Sequence, residues 1–380
     1  MIKIKYNRSG YPVGRNILHI DHPKMDYIHE HDLLRYPHYF LYKLGYKSSI
    51  LANSHYSIFN PKKEIRHFYN SVSFSKAPWI STFETRLPRW KTELIALQKI
   101  GIKLLASDNC KKLIAMSDTA KMIQHKYVEE HFPDYQKDIN PKIQTLYPPQ
   151  KQIIRSYDEK EISSENIVLT MVGNAFFRKG GLEILKVFDR LTKKHLPIHL
   201  NVMSSLIYGD HATQSTKKDR TKAEKMIKRN PFISHYHSVP NEKVLEILKK
   251  THVAMLPSYA ETFGFAVLEA QAAGCPVITT DIRAFPEINN ESCGWIINLP
   301  KYNSTNHNEF QRAIHRTESG RKQISDAIIE QLEMTILSIL NKPDLIKEKG
   351  KKSLQRINEF HDPEKHAQKL LNIYEEALLE

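Results

Sequence analysis

Two glutamates at the spacing E-x7-E, Glu261 and Glu269, stand in the segment SYAETFGFAVLEAQAAGCPVI that begins at Ser258. Carboxylates repel phosphate but accept hydrogen bonds from neutral hydroxyls. A nucleoside-diphosphate sugar carries such hydroxyls on either side of its diphosphate, one set on the sugar and one on the ribose. The charge that the glutamates lack is supplied by VGNAFFRKGG (Val172 to Gly181), where Arg178 and Lys179 can neutralise a diphosphate as it leaves. Each motif also has a plainer use. A glutamate near a helix start offsets the helix dipole, worth ~0.3 to 1 kcal/mol, and an Arg-Lys-Gly run can be a solvated helix entrance. Order, spacing and strand-end context together favour the ligand reading.

Elements that could position these residues follow from periodicity. IVLTMV (Ile167 to Val172) is a continuous apolar run of the kind buried on both faces of a parallel sheet, and Leu182, Leu185, Phe188 and Leu191 mark a helix after it. IHLNVM (Ile198 to Met203) and HVAMLP (His252 to Pro257) read as further strands, with Asn241 as the cap of a helix between them. Both motifs therefore fall at strand carboxyl ends, where open α/β sheets bind ligands and helix N-termini attract anions. A helix from about Phe263 to Ala273 is expected, with Gly264 leaving room for a phosphate near the backbone and Gly274 closing the helix. In the first half, NILHI (Asn16 to Ile20) and KSSIL (Lys47 to Leu51) read as strands flanking a helix over Ile28 to Leu44. Trp79 to Phe83 and Leu113 to Met116 read as strands around the helical stretch Lys91 to Leu105.

The glutamate segment, with its tail AQAAGCPV (Ala270 to Val277), resembles the donor-binding signature of retaining GT-B glycosyltransferases of family four, the glycosyl transferases group 1. That resemblance implies Glu261 on the transferred sugar, Glu269 on the ribose, and the backbone of Thr262, Phe263, Gly264 and Phe265 on sugar and diphosphate. It implies phosphate contacts at Gly173 and Asn174, with Arg178 standing in for an arginine that the family carries at the Asn174 position. HSVPNEKV (His237 to Val244) occupies the place where Ser238 and Val239 would read the base, and FPEI (Phe285 to Ile288) stands where the family has a similar short motif. Retaining sugar transfer from a nucleoside-diphosphate sugar follows as the expected activity, in surface polysaccharide or glycolipid synthesis. The chain has no DxD triplet, so neither a metal nor another cofactor is expected.

In the first half the resemblance implies a second Rossmann-like domain facing the first across a cleft. The usual glycine-rich first loop is read as missing, with HPKMDYIHEH in its place after NILHI. His22, Lys24, His29 and His31 become candidate ligand contacts there, and the HxH pair lacks a third residue at metal spacing. Glu84, in WISTFETRLPRW, is the candidate catalytic carboxylate of this half, and Ser117 is a turn residue whose N-cap role would suffice to explain it. The stretch from His55 to Trp79, with Lys62, Lys63, Arg66, His67, Phe68 and Tyr69, would suit an anionic membrane or would simply cover the core.

The 380 residues, 41% hydrophobic, are too many for one compact core. The expected α/β architecture is an acceptor-side domain over 1–148, a linker over 149–164 after Pro148 and Pro149, a donor domain over 165–355, and a C-terminal helix over 356–380 crossing back to the first domain. In that helix Ala367, Leu370, Leu371, Tyr374 and Leu378 form one stripe behind the cap Asp362. Of the net charge of +14, the first 150 residues carry +10, from 23 basic and 13 acidic residues. An anionic acceptor follows as an expectation: a glycan, a lipid-linked or another anionic carrier. No apolar run approaches a membrane span and Cys110, Cys275 and Cys293 make no CxxC, so the chain is expected to be cytoplasmic, with peripheral contact at the inner membrane face. Nucleic acid is not an expected partner, since no recognition motif is present. The competing classes are a glycoside hydrolase using both glutamates, a nucleotide-sugar epimerase, and a non-catalytic binding scaffold.

Overall fold

The computed structural model describes residues 1–380 apart from 9, 19, 60, 62, 93, 163–164, 301–316 and 380. Lys62 lies outside the described residues. Two compact units divide the chain: Met1–Pro149 with His361–Glu380, and Gln150–Phe360.

The second unit matches its expected elements closely. It holds six parallel strands, β9 (Ile167–Val172), β10 (Ile198–Met203), β11 (Ile233–Tyr236), β12 (Val253–Leu256), β13 (Val277–Thr280) and β14 (Gly294–Ile297), in the order β11-β10-β9-β12-β13-β14. Strand order reverses between β9 and β12, and such switch points are where doubly wound sheets open a ligand crevice. The helix Gly181–Thr192 buries Leu185, Phe188 and Leu191 as their spacing requires. Asn241 is the first residue of its helix rather than the cap, a place taken by Pro240. The stretch expected as a linker is packed into this unit, with Ile154 and Tyr157 buried against Leu354.

In the first unit six parallel strands also form one sheet: β1 (Ile2–Tyr6), β2 (Met25–His29), β4 (Ile65–Tyr69), β6 (Trp79–Phe83), β7 (Cys110–Ala115) and β8 (Ile143–Thr145), in the order β2-β1-β4-β6-β7-β8. A short parallel pair, β3 (Ser54–His55) with β5 (Val72–Ser73), lies apart from it. Here three expectations fail. NILHI is not a strand, since Gly14–Leu18 is a π-helical turn in which Asn16 Nδ2 donates to the Pro12 carbonyl at 2.8 Å. A short apolar run does not distinguish strand from buried helix. The true first strand, IKIKY, shows clean alternation, and its Ile4 is fully buried. KSSIL begins a helical turn, Ser49–Ala52, because the Ser48 hydroxyl accepts from Leu51 N at 3.3 Å and caps it. The helix expected over Ile28 to Leu44 is β2 followed by a shorter helix, Arg35–Lys43.

The C-terminal helix Pro363–Leu379 belongs to this unit, its first turn capped by Asp362 Oδ1 on Lys365 N at 2.8 Å. Ala367, Leu370, Leu371 and Tyr374 pack on Ile4, Ile65, Ile80 and Ile114 of the sheet. His67 fixes the register: one ring nitrogen lies 2.7 Å from the Tyr374 hydroxyl and the other 2.8 Å from Thr82 Oγ1. Much of His55 to Trp79 covers the core. Arg66 is fully buried and its Nε and Nη2 donate to the two Glu30 carboxylate oxygens at 2.6 Å, while His55, His67 and Phe68 are buried beside it.

Candidate functional site

In the second unit, loops 173–180 after β9 and 257–264 after β12 flank the switch point, and glycines let them touch. Gly180 has a left-handed φ of 75°, and a Cβ there would lie 2.2 Å from the Pro257 carbonyl oxygen. The Arg178 carbonyl accepts from Tyr259 N at 2.8 Å, and the Arg178 guanidinium donates to the Ala260 carbonyl. These contacts bring the two sequence motifs together. Lys179 Nζ lies 3.0 Å from Glu261 Oε2 and Arg178 Nη1 3.5 Å from the same oxygen. All three side chains are mostly covered, between 12% and 20% exposed. Burial alone would raise the Glu261 carboxyl, yet Lys179, Arg178 and the Thr262 amide, which donates to Oε1 at 3.1 Å, hold it below its ordinary value.

Gly173, at φ 142°, leaves space over its backbone in which the Lys179 stem lies, since a Cβ would meet Lys179 Cδ at 2.5 Å. Asn174 is occupied structurally: its Oδ1 accepts from Ser205 Oγ at 3.0 Å and ties the loop to the end of β10. Gly264, at φ 97°, occupies the N-cap position of the helix Phe265–Ala272, and a Cβ would strike the Phe285 ring at 2.4 Å. FPEI thus supports the helix start from behind. Phe263 is buried with its ring 5.4 Å from that of Phe265, and Glu269 is buried within the helix. Ser238 and Val239 follow the edge strand β11, two strands from β9.

Glu84 lies in the first unit, at the end of β6. Its carboxylate accepts from the Tyr69 hydroxyl and pairs with Arg89 at 3.0 Å. The loop HPKMDYIHEH contains β2 itself, which separates its candidates: His22 and Lys24 precede the strand at its amino end, while His29 and His31 follow its start towards the carboxyl end. His29 and His31 stand edge to face at 6.0 Å, and no group of three or more His, Cys, Asp or Glu among the described residues is arranged to hold a metal ion. Ser117 caps the helix Asp118–His131 by accepting from Ala120 N at 3.0 Å, as its local position alone required.

The comparisons with known proteins bear on this second unit first. Residues 153–331 match the family model "Glycosyl transferases group 1". This part of the chain is similar to the group 1 glycosyltransferase domain. Glycogen synthase of Mycobacterium tuberculosis is 28% identical over 119 residues, covering 31% of this chain and 27% of that protein. The chain spans between 27% and 40% of the length of the first curated relatives it matches. Among solved structures, a glycosyltransferase from Rickettsia africae superposes with a TM-score of 0.60 at 13% identity, over 99% of this chain and 98% of that one. Anabaena Alr3699/HepE, solved in complex with UDP, gives 0.59 at 10% identity over 98% and 99%. These likenesses show the fold, GT-B with two Rossmann-like halves and a C-terminal helix. Together with the family match they support a glycosyltransferase.

Sequence reasoning missed one cluster in the first unit. Because β1 was not recognised, the loop after it, with Gly10 at φ 144° just before the helical turn Tyr11–Val13, was not placed. A glycine-bearing first loop is present after all. Arg8 in that loop keeps Nε and Nη2 buried with no hydrogen-bond partner among the described residues, as does Nδ1 of His38. Burial and then Arg35 lower the Arg8 guanidinium to about 10, against the opposing pull of Asp32, and burial, Arg35 and Arg8 lower His38. Asp32 is committed elsewhere: it accepts from Asn7 Nδ2 at 2.8 Å, Arg35 Nε at 3.0 Å and the Tyr56 amide at 3.1 Å. The alternation of IKIKY was the signal that would have found this loop.

Proposed function

We propose that the chain is a retaining family-four glycosyltransferase that moves a sugar from a nucleoside-diphosphate sugar to an anionic acceptor, a glycan or a lipid-linked carrier of surface polysaccharide. The observation that carries this reading is the Glu261 carboxylate held by Lys179 and Arg178 at the switch point of a group 1 domain. The ion pair is a resting arrangement suited to exchange. An arriving diphosphate takes Lys179 and Arg178, and Glu261 turns to a sugar hydroxyl that it can accept from. As the bond from the anomeric carbon to the phosphate oxygen breaks, the acceptor hydroxyl oxygen bonds to that carbon on the same face and gives its proton to the departing phosphate oxygen. The electron pair of the broken bond leaves with the nucleoside diphosphate, whose growing charge meets both cations and the helix N-terminus at Phe265. Glu269 would take the ribose, Ser238 and Val239 the base, and the backbone at Gly173, Asn174 and Thr262 to Phe265 the diphosphate and sugar. With charge supplied by side chains, we propose that no metal is needed, so activity should persist in a chelator.

On the acceptor side, the orphan nitrogens of Arg8 and His38 are donors that an anionic group would satisfy. Glu84 is proposed as the carboxylate that positions the acceptor. A thermal-shift panel of UDP, GDP and ADP sugars tests the donor site, because specific binding raises the melting temperature. No shift with any of them would remove the basis for this function. Glu261→Ala should abolish transfer with folding intact, and the anomeric coupling constant of the product reports retention directly.

A further inference from the structure

The helix Arg35–Lys43 has no buried residue. Leu34, His38 and Leu41 are half-covered and hold it to the first unit, while the other side presents aromatic rings to solvent. Tyr36, Tyr39, Phe40 and Tyr42, with Leu44 and Tyr46 just beyond the helix, are each between 56% and 68% exposed. The adjoining segment, tied in by Leu33 N on the Tyr56 carbonyl at 2.9 Å, adds Ile58 and Phe59 at 61% and 71%. Of the 23 large apolar side chains exposed among the described residues, ten fall between 33 and 59, so this is a patch rather than scatter. From 33 to 59 the sequence carries Arg35, Lys43 and Lys47 and no acidic residue, and since Arg35 pairs with Asp32 at 3.0 Å the cations of this face are Lys43 and Lys47. Lys43 Nζ lies 4.7 Å above the Tyr39 ring, so cation and aromatic face share one surface.

We propose that this face docks on an anionic phospholipid bilayer. Tyrosines lie well at a membrane boundary, with the ring in the acyl region and the hydroxyl among headgroups, and lysine stems extend alongside to reach lipid phosphates. A second copy of the chain fits poorly. A two-fold interface would set the same patch against itself, bringing Lys43 and Lys47 against their like with no carboxylate between them. Protein interface cores also exclude lysine, which is interleaved with the rings here. Attachment is peripheral, as no helix among the described residues is long and apolar enough to cross a membrane. The surface takes only the start of the stretch His55 to Trp79 that composition first pointed to, through Ile58 and Phe59, since Arg66, His67, Phe68 and Trp79 further along are buried.

The test is cosedimentation of the full chain with vesicles of phosphatidylcholine alone or with about one-third phosphatidylglycerol. Binding is expected only to the anionic vesicles and should fall as salt is raised. Lys43→Gln with Lys47→Gln should weaken partitioning about 25-fold, near fivefold per lysine. Phe40→Ser with Leu44→Ser should weaken it at least tenfold. Both variants should keep the wild-type melting temperature and nucleotide-sugar shift, which separates lost docking from lost folding. No binding to anionic vesicles at low salt, equal binding to neutral ones, or binding indifferent to both variants would overturn the proposal. So would a wild-type dimer that Phe40→Ser with Leu44→Ser turns into a monomer without any vesicle binding.

Discussion

Replacing Glu261 by glutamine should make the protein bind nucleoside diphosphate more tightly while making it a worse transferase. In the free protein the carboxylate lies 3.0 Å from Lys179 and 3.5 Å from Arg178, and on the proposed function an incoming diphosphate takes both cations from it. At an effective dielectric of about 20, each contact represents on the order of 5 kcal/mol of gross Coulomb attraction. Desolvation of partly covered ions offsets most of that, leaving roughly 1 to 2 kcal/mol net. Glu261→Gln removes this competition at nearly constant volume, so affinity for the matching diphosphate should rise about 5- to 30-fold. Transfer should fall by about 100-fold or more, because the sugar hydroxyl loses its charged acceptor. Titration calorimetry with UDP, GDP and ADP on wild type and variant measures the first effect, and product formation measures the second. Without ligand, two unneutralised cations should lower the melting temperature, and diphosphate should restore it. If the variant binds its diphosphate no more tightly than wild type, Lys179 and Arg178 are not the phosphate ligands and the exchange argument fails.

Gly180→Ala would force a methyl to within 2.2 Å of the Pro257 carbonyl at a left-handed φ, so a loss of about 2 to 4 kcal/mol is expected in urea unfolding, together with the nucleotide shift. Tyr374→Phe leaves a buried His67 nitrogen without its partner and should destabilise the first unit by about 1 to 3 kcal/mol, with the donor-binding shift of the second unit retained. Burial pushes His67 down to about 3 and His366 to about 4, far below the unfolded value near ~6.5. Between those limits the unfolded chain binds more protons, so stability should fall as pH drops below about 6.5, by up to ~1.4 kcal/mol per pH unit for each histidine. Urea midpoints measured from pH 7 to 4 check this; a flat profile would mean that neither ring is buried neutral.

Legibility in the sequence differed between the two units for a physical reason. Strands β9 and β10 are buried on both faces, so their apolar runs have the bounds that the structure shows, and the helix after β9 follows from its stripe, whereas the helix Lys217–Arg229 after β10 was not read. In the first unit β1 lies at the start of the chain as an alternating strand, and NILHI, more apolar, drew the strand assignment away from it. That single displacement moved the first loop, hid Arg8, and put His22 and Lys24 at the wrong end of β2. Lys43 and the tyrosines around it read as an ordinary helix face, because sequence does not say that nothing covers them.

What the sequence by itself determined is the placement of Arg178, Lys179 and Glu261 in loops at strand ends and of Glu269 in the helix that follows, in a spacing that resembles the group 1 glycosyltransferases. Those are local facts, since a loop of a few residues between strand and helix leaves little choice of position. Tertiary structure alone decided that Lys179 and Arg178 meet Glu261, through Gly180 against Pro257. It also decided that the final helix is held by His67 through Tyr374, and that Arg8 Nε and Nη2 and His38 Nδ1 are buried without a hydrogen-bond partner among the described residues. Each of those contacts joins residues far apart in the chain, and which distant groups meet is set by strand order and packing, which no local pattern encodes.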